Sequence, residues 1–270
     1  MAAMEQYRHE WRGYRPIEPR GGRDWRGTLR KIGAPLVAIG AFLAKFGVVL
    51  LKFKFLFSMF VSAAFYVWLG GWWFGIGLIV LLFVHEMGHV VEAKRQGLPV
   101  SVPVFIPFMG ALITMKQMPH NAWREARLAI AGPLLGSAGA LLLYILGLVY
   151  DSQQLKALAF LGFLINLFNL LPVIPLDGGR ITAALHPGLW FAGFLALLAL
   201  VIYRPNPILI IILLLAGSEL WRRWQMRRLP QMREYYRVRP HQRLFIGLLY
   251  FGLAAALALG MHATHVPHSF

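Results

Sequence analysis

Long apolar runs, separated by short polar or basic segments, are the dominant pattern along this chain. A helix needs about 20 apolar residues to cross a hydrocarbon core ~30 Å thick, and seven runs approach that length. The fifth and sixth runs are short, so we expect them to tilt into protein contacts or to include flanking residues. The predicted spans are Phe55–Leu69, Trp72–Val91, Leu128–Tyr150, Ala157–Leu176, Leu189–Tyr203, Pro207–Trp221 and Leu244–Met261.

A further apolar segment, Ile32–Leu51, has two interpretations. It is apolar enough to cross a membrane, but Lys45 interrupts it, and Lys52 and Lys54 follow it. If it crossed, either the basic N-terminal tail or the basic residues after the second span would lie outside. We therefore predict an interfacial helix whose lysine side chains reach towards water.

The segment Gly97–Ala122, between the second and third spans, is apolar but cannot be a regular helix, since it contains Pro99, Pro103 and Pro107. Non-helical backbone at membrane depth is tolerated only where protein buries it or where it lines a wet cavity. We predict a re-entrant, partly extended segment with a strand such as Ala111–Met115, whose edge could pair with an extended substrate. The predicted fold class is an all-α polytopic membrane protein with about six to seven transmembrane helices and this short segment.

Composition agrees with a membrane protein. Of 270 residues, 58% are hydrophobic and 14% are charged, whereas soluble domains carry about 25% charged residues. The net charge of +16 would suit a nucleic-acid-binding protein, but basic residues cluster beside the apolar runs, eight within the first 31 residues and eight between Arg222 and Arg243. Such clusters set orientation in a bilayer and attract anionic lipids, so we expect the lipid bilayer, and no nucleic acid, as a partner.

Basic residues also predict the topology. With a cytoplasmic N-terminus, all but Lys156 and Arg204 of the 27 Lys and Arg lie on the inner side or at its interface. We predict a multi-pass protein of a prokaryotic cell membrane. Its parts are a basic tail with the interfacial helix (1–54), a core (55–221), and a basic linker with the C-terminal span (222–270).

Three ionisable side chains interrupt the second apolar run at "HEMGH", residues 85–89. On a helix, His85 and His89 lie on one face, so both imidazoles can bind one metal ion. Glu86 is one step round the helix, close enough to hold a metal-bound water. This is the HExxH arrangement of zinc hydrolases, and ionisable residues inside a membrane are costly and by default functional. The alternatives are a polar cluster that ties helices together and a structural metal site, which would need a fourth protein ligand.

A third ligand is expected from "NLFNLLPVIPLDGGR", Asn166–Arg180. Pro172 and Pro175 break the fourth apolar run, and Gly178 and Gly179 follow Asp177, so the backbone can unwind and turn the carboxylate inward. In the predicted topology Asp177 lies at the same cytoplasmic depth as His85 and His89, as a shared metal ion requires. The chain has no cysteine, which excludes thiolate ligands and disulfides.

"HEMGH" and "NLLPVIPLDGG" together resemble the site-2 protease family of intramembrane zinc metalloproteases. The family's signatures are HExxH on one span and Asn-x-x-Pro-x-x-x-x-Asp-Gly two spans later, and Asn169, Pro172, Asp177 and Gly178 have that spacing. "AGPLLG" (131–136) and "PFMGALI" (107–113) are also similar to that family, and the resemblance extends from about Trp72 to Arg180. It implies a zinc ion bound by His85, His89 and Asp177, with Glu86 as catalytic base, acting on transmembrane protein substrates.

By this resemblance Asn169 would lie near the metal and steady an oxyanion or contact the substrate, although a helix–helix hydrogen bond is an equal alternative. Gly132 and Gly136 are expected to serve close helix packing. Two rival functions use the same residues, an intramembrane metal or proton transporter and a catalytically silent relative that binds membrane proteins. Polar residues cluster on the cytoplasmic side only, which argues against a transport path, and the intact Glu86 argues against a silent relative.

Overall fold

The computed structural model describes residues 54–101, 104–106, 110–112, 119–226 and 229–264, together with positions 37 and 40. The chain divides into two compact units, Met1–Phe53 and Lys54–Phe270. Apart from those two positions, the predicted interfacial helix Ile32–Leu51 lies outside the described residues. The second unit contains, in its described part, these elements: α1 Lys54–Arg95, β1 Val104–Ile106, β2 Gly110–Leu112, α2 Ala122–Val149, α3 Gln153–Asn169, α4 Asp177–Leu185, α5 Leu189–Tyr203, α6 Pro207–Met226, α7 Pro230–Tyr235 and α8 Pro240–Thr264.

Helix α1 is a pair of legs joined at Gly71, whose φ of 81° only glycine adopts readily. A straight helix of 42 residues would be ~63 Å long, about twice the thickness of a hydrocarbon core. A Cβ on Gly75 would collide with the backbone of Val67, although a straight helix places residues eight apart about 12 Å from each other. The two legs therefore lie side by side, and they coincide with the first two predicted apolar runs.

Among the residues that the structure describes, three helices are long and apolar enough to cross a membrane: Leu56–Arg95, Ala122–Val149 and Pro240–Thr264. Large apolar side chains on their outer faces, such as Trp68, Leu142 and Leu259, are exposed. Helices that are apolar all round are typical of membrane spans, because lipid tails cover the outward side. The prediction of an α-helical membrane protein is confirmed at this level.

Strands β1 and β2 form an antiparallel pair in which Phe105 is opposite Ala111. The N–H of Phe105 donates to Ser58 Oγ at 3.1 Å, and the Phe105 side chain packs with Tyr66 and Leu78, so the first strand is fixed to α1. The predicted strand Ala111–Met115 overlaps β2 at two residues, and its remainder lies outside the described residues.

Helix α2 is central, since it packs against α1, α3, α4 and α8. It begins after Asn121, whose Oδ1 accepts a hydrogen bond from the Arg124 N–H at 2.9 Å. Its inner face carries small residues such as Ala126, Ala129 and Ala140, which are fully buried and let neighbouring helices approach closely. This close packing brings residues from α1, α3 and α4 together at one point.

Candidate metal centre

The two histidines of "HEMGH" lie on the second leg of α1, near its C-terminal end. Both are buried, and their Nε2 atoms are 3.2 Å apart. Their i, i+4 spacing puts both rings on the face that packs against α2 and α3. The structure therefore brings the two predicted ligands together on the inside of the protein.

Each histidine ring is oriented by a hydrogen bond from its other nitrogen. His89 Nδ1 donates to the carbonyl of Leu128 at 2.9 Å, and His85 Nδ1 lies 2.8 Å from Asn166 Oδ1. The Asn166 amide is itself fixed, because its Nδ2 donates to the Gly162 carbonyl at 2.7 Å. Carbonyl and amide oxygens only accept, so each ring carries a proton on Nδ1, and in the neutral form of the ring the Nε2 lone pair is then free to bind a metal ion.

Asp177 is the first residue of α4 and is buried. Its Oδ2 lies 3.2 Å from Nε2 of both His85 and His89. The turn before it is tight: a Cβ at Gly178 would collide with the Leu170 backbone, and one at Gly179 with the backbone at Val173. Glycine is therefore required at both positions for the carboxylate to face the histidines.

The three side chains fit a zinc ion. His85, His89 and Asp177 form the one group of potential metal ligands found among the described residues. The three potential ligand atoms, His85 Nε2, His89 Nε2 and Asp177 Oδ2, lie 3.2 Å from one another. A point slightly above the plane of such a triangle is about 2 Å from every corner, which is the length of Zn–N and Zn–O bonds.

The other two predicted site residues are placed differently. Glu86 is buried beside the triad, and its carboxylate interacts electrostatically with His89, His85 and Asp177. Asn169 is half-buried, and its Nδ2 donates to the Ile165 carbonyl at 3.1 Å, one helical turn earlier. The described contacts thus give Asn169 a bond within its own helix.

Asn166 is a site residue that the sequence reasoning missed. It is fully buried in an apolar helix, and it holds the His85 ring. Its signal in the sequence is an amide inside an apolar run, which is costly to bury unless it has a hydrogen-bond partner. The family motif includes Asn169 at its first position and does not include Asn166.

Two glycines of α2, Gly132 and Gly136, lie directly against residues of the candidate metal centre. A Cβ on Gly132 would overlap the His89 imidazole, and a Cβ on Gly136 would overlap the Asn166 amide. In the opposite direction, a Cβ on Gly88 would collide with the Ala131 carbonyl. The small residues therefore leave the space that the His89 ring and the Asn166 amide occupy.

Comparison with known families identifies the segment around "HEMGH". Residues 73–154 match the family model described as Peptidase family M50. This segment of the chain is therefore similar to peptidase family M50. The resemblance to site-2 proteases is thereby confirmed; the matched M50 segment contains His85, Glu86 and His89 and ends before Asp177.

Individual proteins that this chain resembles carry names of the same kind. Zinc metalloprotease MJ0392 of Methanocaldococcus jannaschii is 34% identical over 117 residues, which are 40% of this chain and 34% of the relative. A Synechocystis sp. protein named "Putative zinc metalloprotease sll0528" is 32% identical over 120 residues, 41% of this chain and 31% of the relative. The chain thus spans about a third of the length of these relatives.

Proposed function

We propose that this chain is a zinc-dependent intramembrane endopeptidase of the M50 type that cleaves peptide bonds in or near the transmembrane segments of membrane proteins. One observation carries the proposal: His85, His89 and Asp177 turn three acceptor atoms towards one point, and the glutamate of "HEMGH" is buried beside them. The names of the relatives support zinc as the metal and proteolysis as the activity.

Each residue of the site has a proposed role. His85 and His89 bind the ion through Nε2, and Asp177 contributes the third bond and a negative charge. A bound zinc ion would polarise the scissile carbonyl and lower the pKa of a water molecule. Glu86 accepts the proton of the attacking water and afterwards donates it to the leaving amine. Asn169 is retained as a candidate contact to the substrate or its oxyanion.

Burial of the site has a chemical consequence. His85, Glu86, His89 and Asp177 are 4–8% exposed, so the charges act on the substrate without screening by bulk water. A helical substrate must unwind to reach them, because each helical carbonyl accepts a hydrogen bond from its own chain. The β1–β2 hairpin, which is two-stranded in the described part of the chain, supports this step because a strand edge can bind extended backbone.

The topology belongs to the same proposal. We infer a multi-pass protein of a prokaryotic cell membrane with six to seven spans, a cytoplasmic N-terminus and a re-entrant segment that carries the hairpin. The bend at Gly71 supports counting α1 as two spans, since its two legs lie side by side. The apolar helix α5, of 15 residues, is near the lower limit for crossing.

The proposal is tested by co-expressing the chain with candidate single-pass membrane proteins and measuring the masses of the products. The wild-type chain should produce two fragments whose masses add to that of the substrate plus one water. A Glu86→Gln variant should produce none. Fragments that appear equally with the variant, or zinc transport by reconstituted protein without any fragments, would contradict the proposal.

A further inference from the structure

Asp177 has a second neighbour besides the two histidines. Its Oδ2 faces both Nε2 atoms, while Nη1 of Arg180, one helical turn later, lies 3.9 Å from its other oxygen, Oδ1. The two oxygens of a carboxylate are chemically equivalent, and the torsion that exchanges them is soft. A cation held beside Oδ1 makes the two oxygens of Asp177 inequivalent. The position of Arg180 therefore determines which oxygen faces the histidines.

Arg180 is itself held from the opposite side. Its Nε donates to Oε1 of Glu125, at the start of α2, with a distance of 3.4 Å. The Glu125 side chain is 3% exposed, and a buried carboxylate needs partners to offset its lost hydration. Nη1 faces Asp177, and the buried Nη2 makes no hydrogen bond to any residue that the structure describes. The guanidinium thus joins two carboxylates, one structural and one in the candidate metal centre.

The second oxygen of Glu125 is bound by the linker that precedes α8. The Tyr235 hydroxyl, at the end of α7, donates to Glu125 Oε2 at 2.5 Å. Burial, and then the adjacent Glu125 carboxylate, raise the pKa of Tyr235 well above its usual range, so the hydroxyl keeps its proton and remains a donor. The chain of contacts runs from Tyr235 through Glu125 and Arg180 to Asp177.

We propose that Arg180 is a positioning residue for the metal ligand Asp177, and that Glu125 and Tyr235 hold it in place. This inference rests on the proposed function, because it takes Asp177 to be a zinc ligand. The proposal gives a role to the basic linker between α6 and α8. Helix α7, which lies in this linker, would contribute to metal affinity although no residue of α7 binds the metal. Groups that orient metal ligands typically change metal affinity about 10–100-fold.

The test measures Co²⁺ binding, which does not depend on peptidase activity. The full chain is purified in detergent, stripped of metal, and titrated with Co²⁺ against a chromophoric chelator, and the visible d–d absorption reports the coordination geometry. Arg180→Gln should raise the Kd about 10–100-fold and alter the spectrum. Arg180→Lys, which keeps the charge but not the fork of donors, should give a Kd between that of Arg180→Gln and the wild type.

Tyr235→Phe removes one hydroxyl and no charge, so it tests the support with little risk to folding. It should raise the Kd about three- to tenfold. It should have no further effect in an Arg180→Gln background, because Tyr235 acts through Arg180. The matched control is Tyr144→Phe, near the other end of α2. This variant loses a hydroxyl that donates to the Ala263 carbonyl, and it should keep the wild-type Kd.

The outcomes separate the two proposals. A wild-type chain that binds no Co²⁺ would overturn the proposed function and this inference with it. One Co²⁺ per chain with the same Kd and spectrum in wild type and Arg180→Gln would overturn the inference alone. If Arg180→Gln cannot be purified, an unchanged Kd in Tyr235→Phe would overturn the inference that Tyr235, Glu125 and Arg180 position Asp177.

Discussion

Each acceptor atom of the candidate metal centre is oriented by a contact on the far side of its own residue. Asn166 binds Nδ1 of His85, the Leu128 carbonyl binds Nδ1 of His89, and Arg180 faces Oδ1 of Asp177. Such contacts fix ring tautomers and carboxylate rotation before any metal binds, so little ordering is left to the binding step. At the scale of the residue, the site is therefore preorganised.

Asn166→Ala should weaken zinc binding about 10–100-fold, because His85 loses the acceptor that fixes its tautomer and ring angle. The dissociation constant is measured by competition with a chelator on detergent-purified protein. Asn169→Ala is the matched control, since the Asn169 amide donates to the Ile165 carbonyl within its own helix. Equal zinc affinity in the two variants would show that Asn166 does not orient the ligand.

Gly132→Ala should also reduce zinc content, for a steric reason. The added methyl group would overlap the His89 ring, which must then turn its Nε2 away from Asp177. Gly252→Ala on α8 is the control, because no described residue, apart from the neighbouring backbone of α8 itself, lies within 4 Å of its added methyl group. Zinc per chain is measured by elemental analysis, and a Gly132→Ala protein with the full wild-type content would refute the predicted collision.

At the scale of the element, the bend in α1 allows one helical segment to form two antiparallel legs. Gly71 has φ 81° and ψ 173°, a backbone region that is essentially restricted to glycine. The second leg carries "HEMGH", and β1 is attached to the first leg through Ser58. The bend therefore positions the hairpin and the histidines relative to each other.

Gly71→Ala should lower the free energy of unfolding by about 1–3 kcal/mol, the usual cost of forcing a non-glycine residue into such a conformation. Unfolding is followed in mixed micelles of mild and denaturing detergent. Gly217→Ala on α6 has ordinary van der Waals contacts and should leave the free energy of unfolding within about 0.5 kcal/mol of the wild-type value. Equal stabilities of the two variants would mean that the strain at Gly71 is absent.

The sequence carries much of this arrangement in local patterns. The apolar runs predict the helices, the prolines of Gly97–Ala122 predict the interruption, and the i, i+4 spacing predicts that His85 and His89 share a face. Each of these depends on residues close together along the chain.

The contacts that orient the ligands do not follow from local pattern. His85 and Asn166 are separated by 81 residues, Arg180 and Glu125 by 55, and Tyr235 and Glu125 by 110. Apolar runs give the length of a helix but not the face that meets a given neighbour, because a helix that is apolar all round has no distinct inner stripe. Helix α1 illustrates this, since polar and apolar residues are not segregated around it apart from "HEMGH".

At the scale of the whole molecule, charge distribution determines how the site is reached from water. The basic clusters flank the apolar core, and the proposed orientation puts residues 1–31 and 222–243 in the cytoplasm with the C-terminal end outside. In that orientation Asp177 and His89 would lie near the cytoplasmic surface, and water would reach the candidate metal centre from that side.

Single cysteines at Gln225 and Ser269 test this orientation, and the native chain has no competing thiol. A membrane-impermeant thiol reagent applied to intact cells should label Ser269→Cys and not Gln225→Cys. Both should be labelled after the cells are permeabilised, which controls for buried thiols. Equal labelling in intact cells would mean that α8 does not cross, and labelling of Gln225→Cys alone would mean that the orientation is inverted, as it would be if Ile32–Leu51 also crosses.

The most direct test of the central claim is zinc stoichiometry combined with peptide-bond cleavage in wild type, Glu86→Gln and Asp177→Ala. We predict one zinc per chain and cleavage for the wild type, and one zinc without cleavage for Glu86→Gln, because only the proton acceptor is removed. Asp177→Ala should lose both, as it removes one of three ligands. Loss of zinc in Glu86→Gln, or full zinc and normal turnover in Asp177→Ala, would contradict the assigned roles.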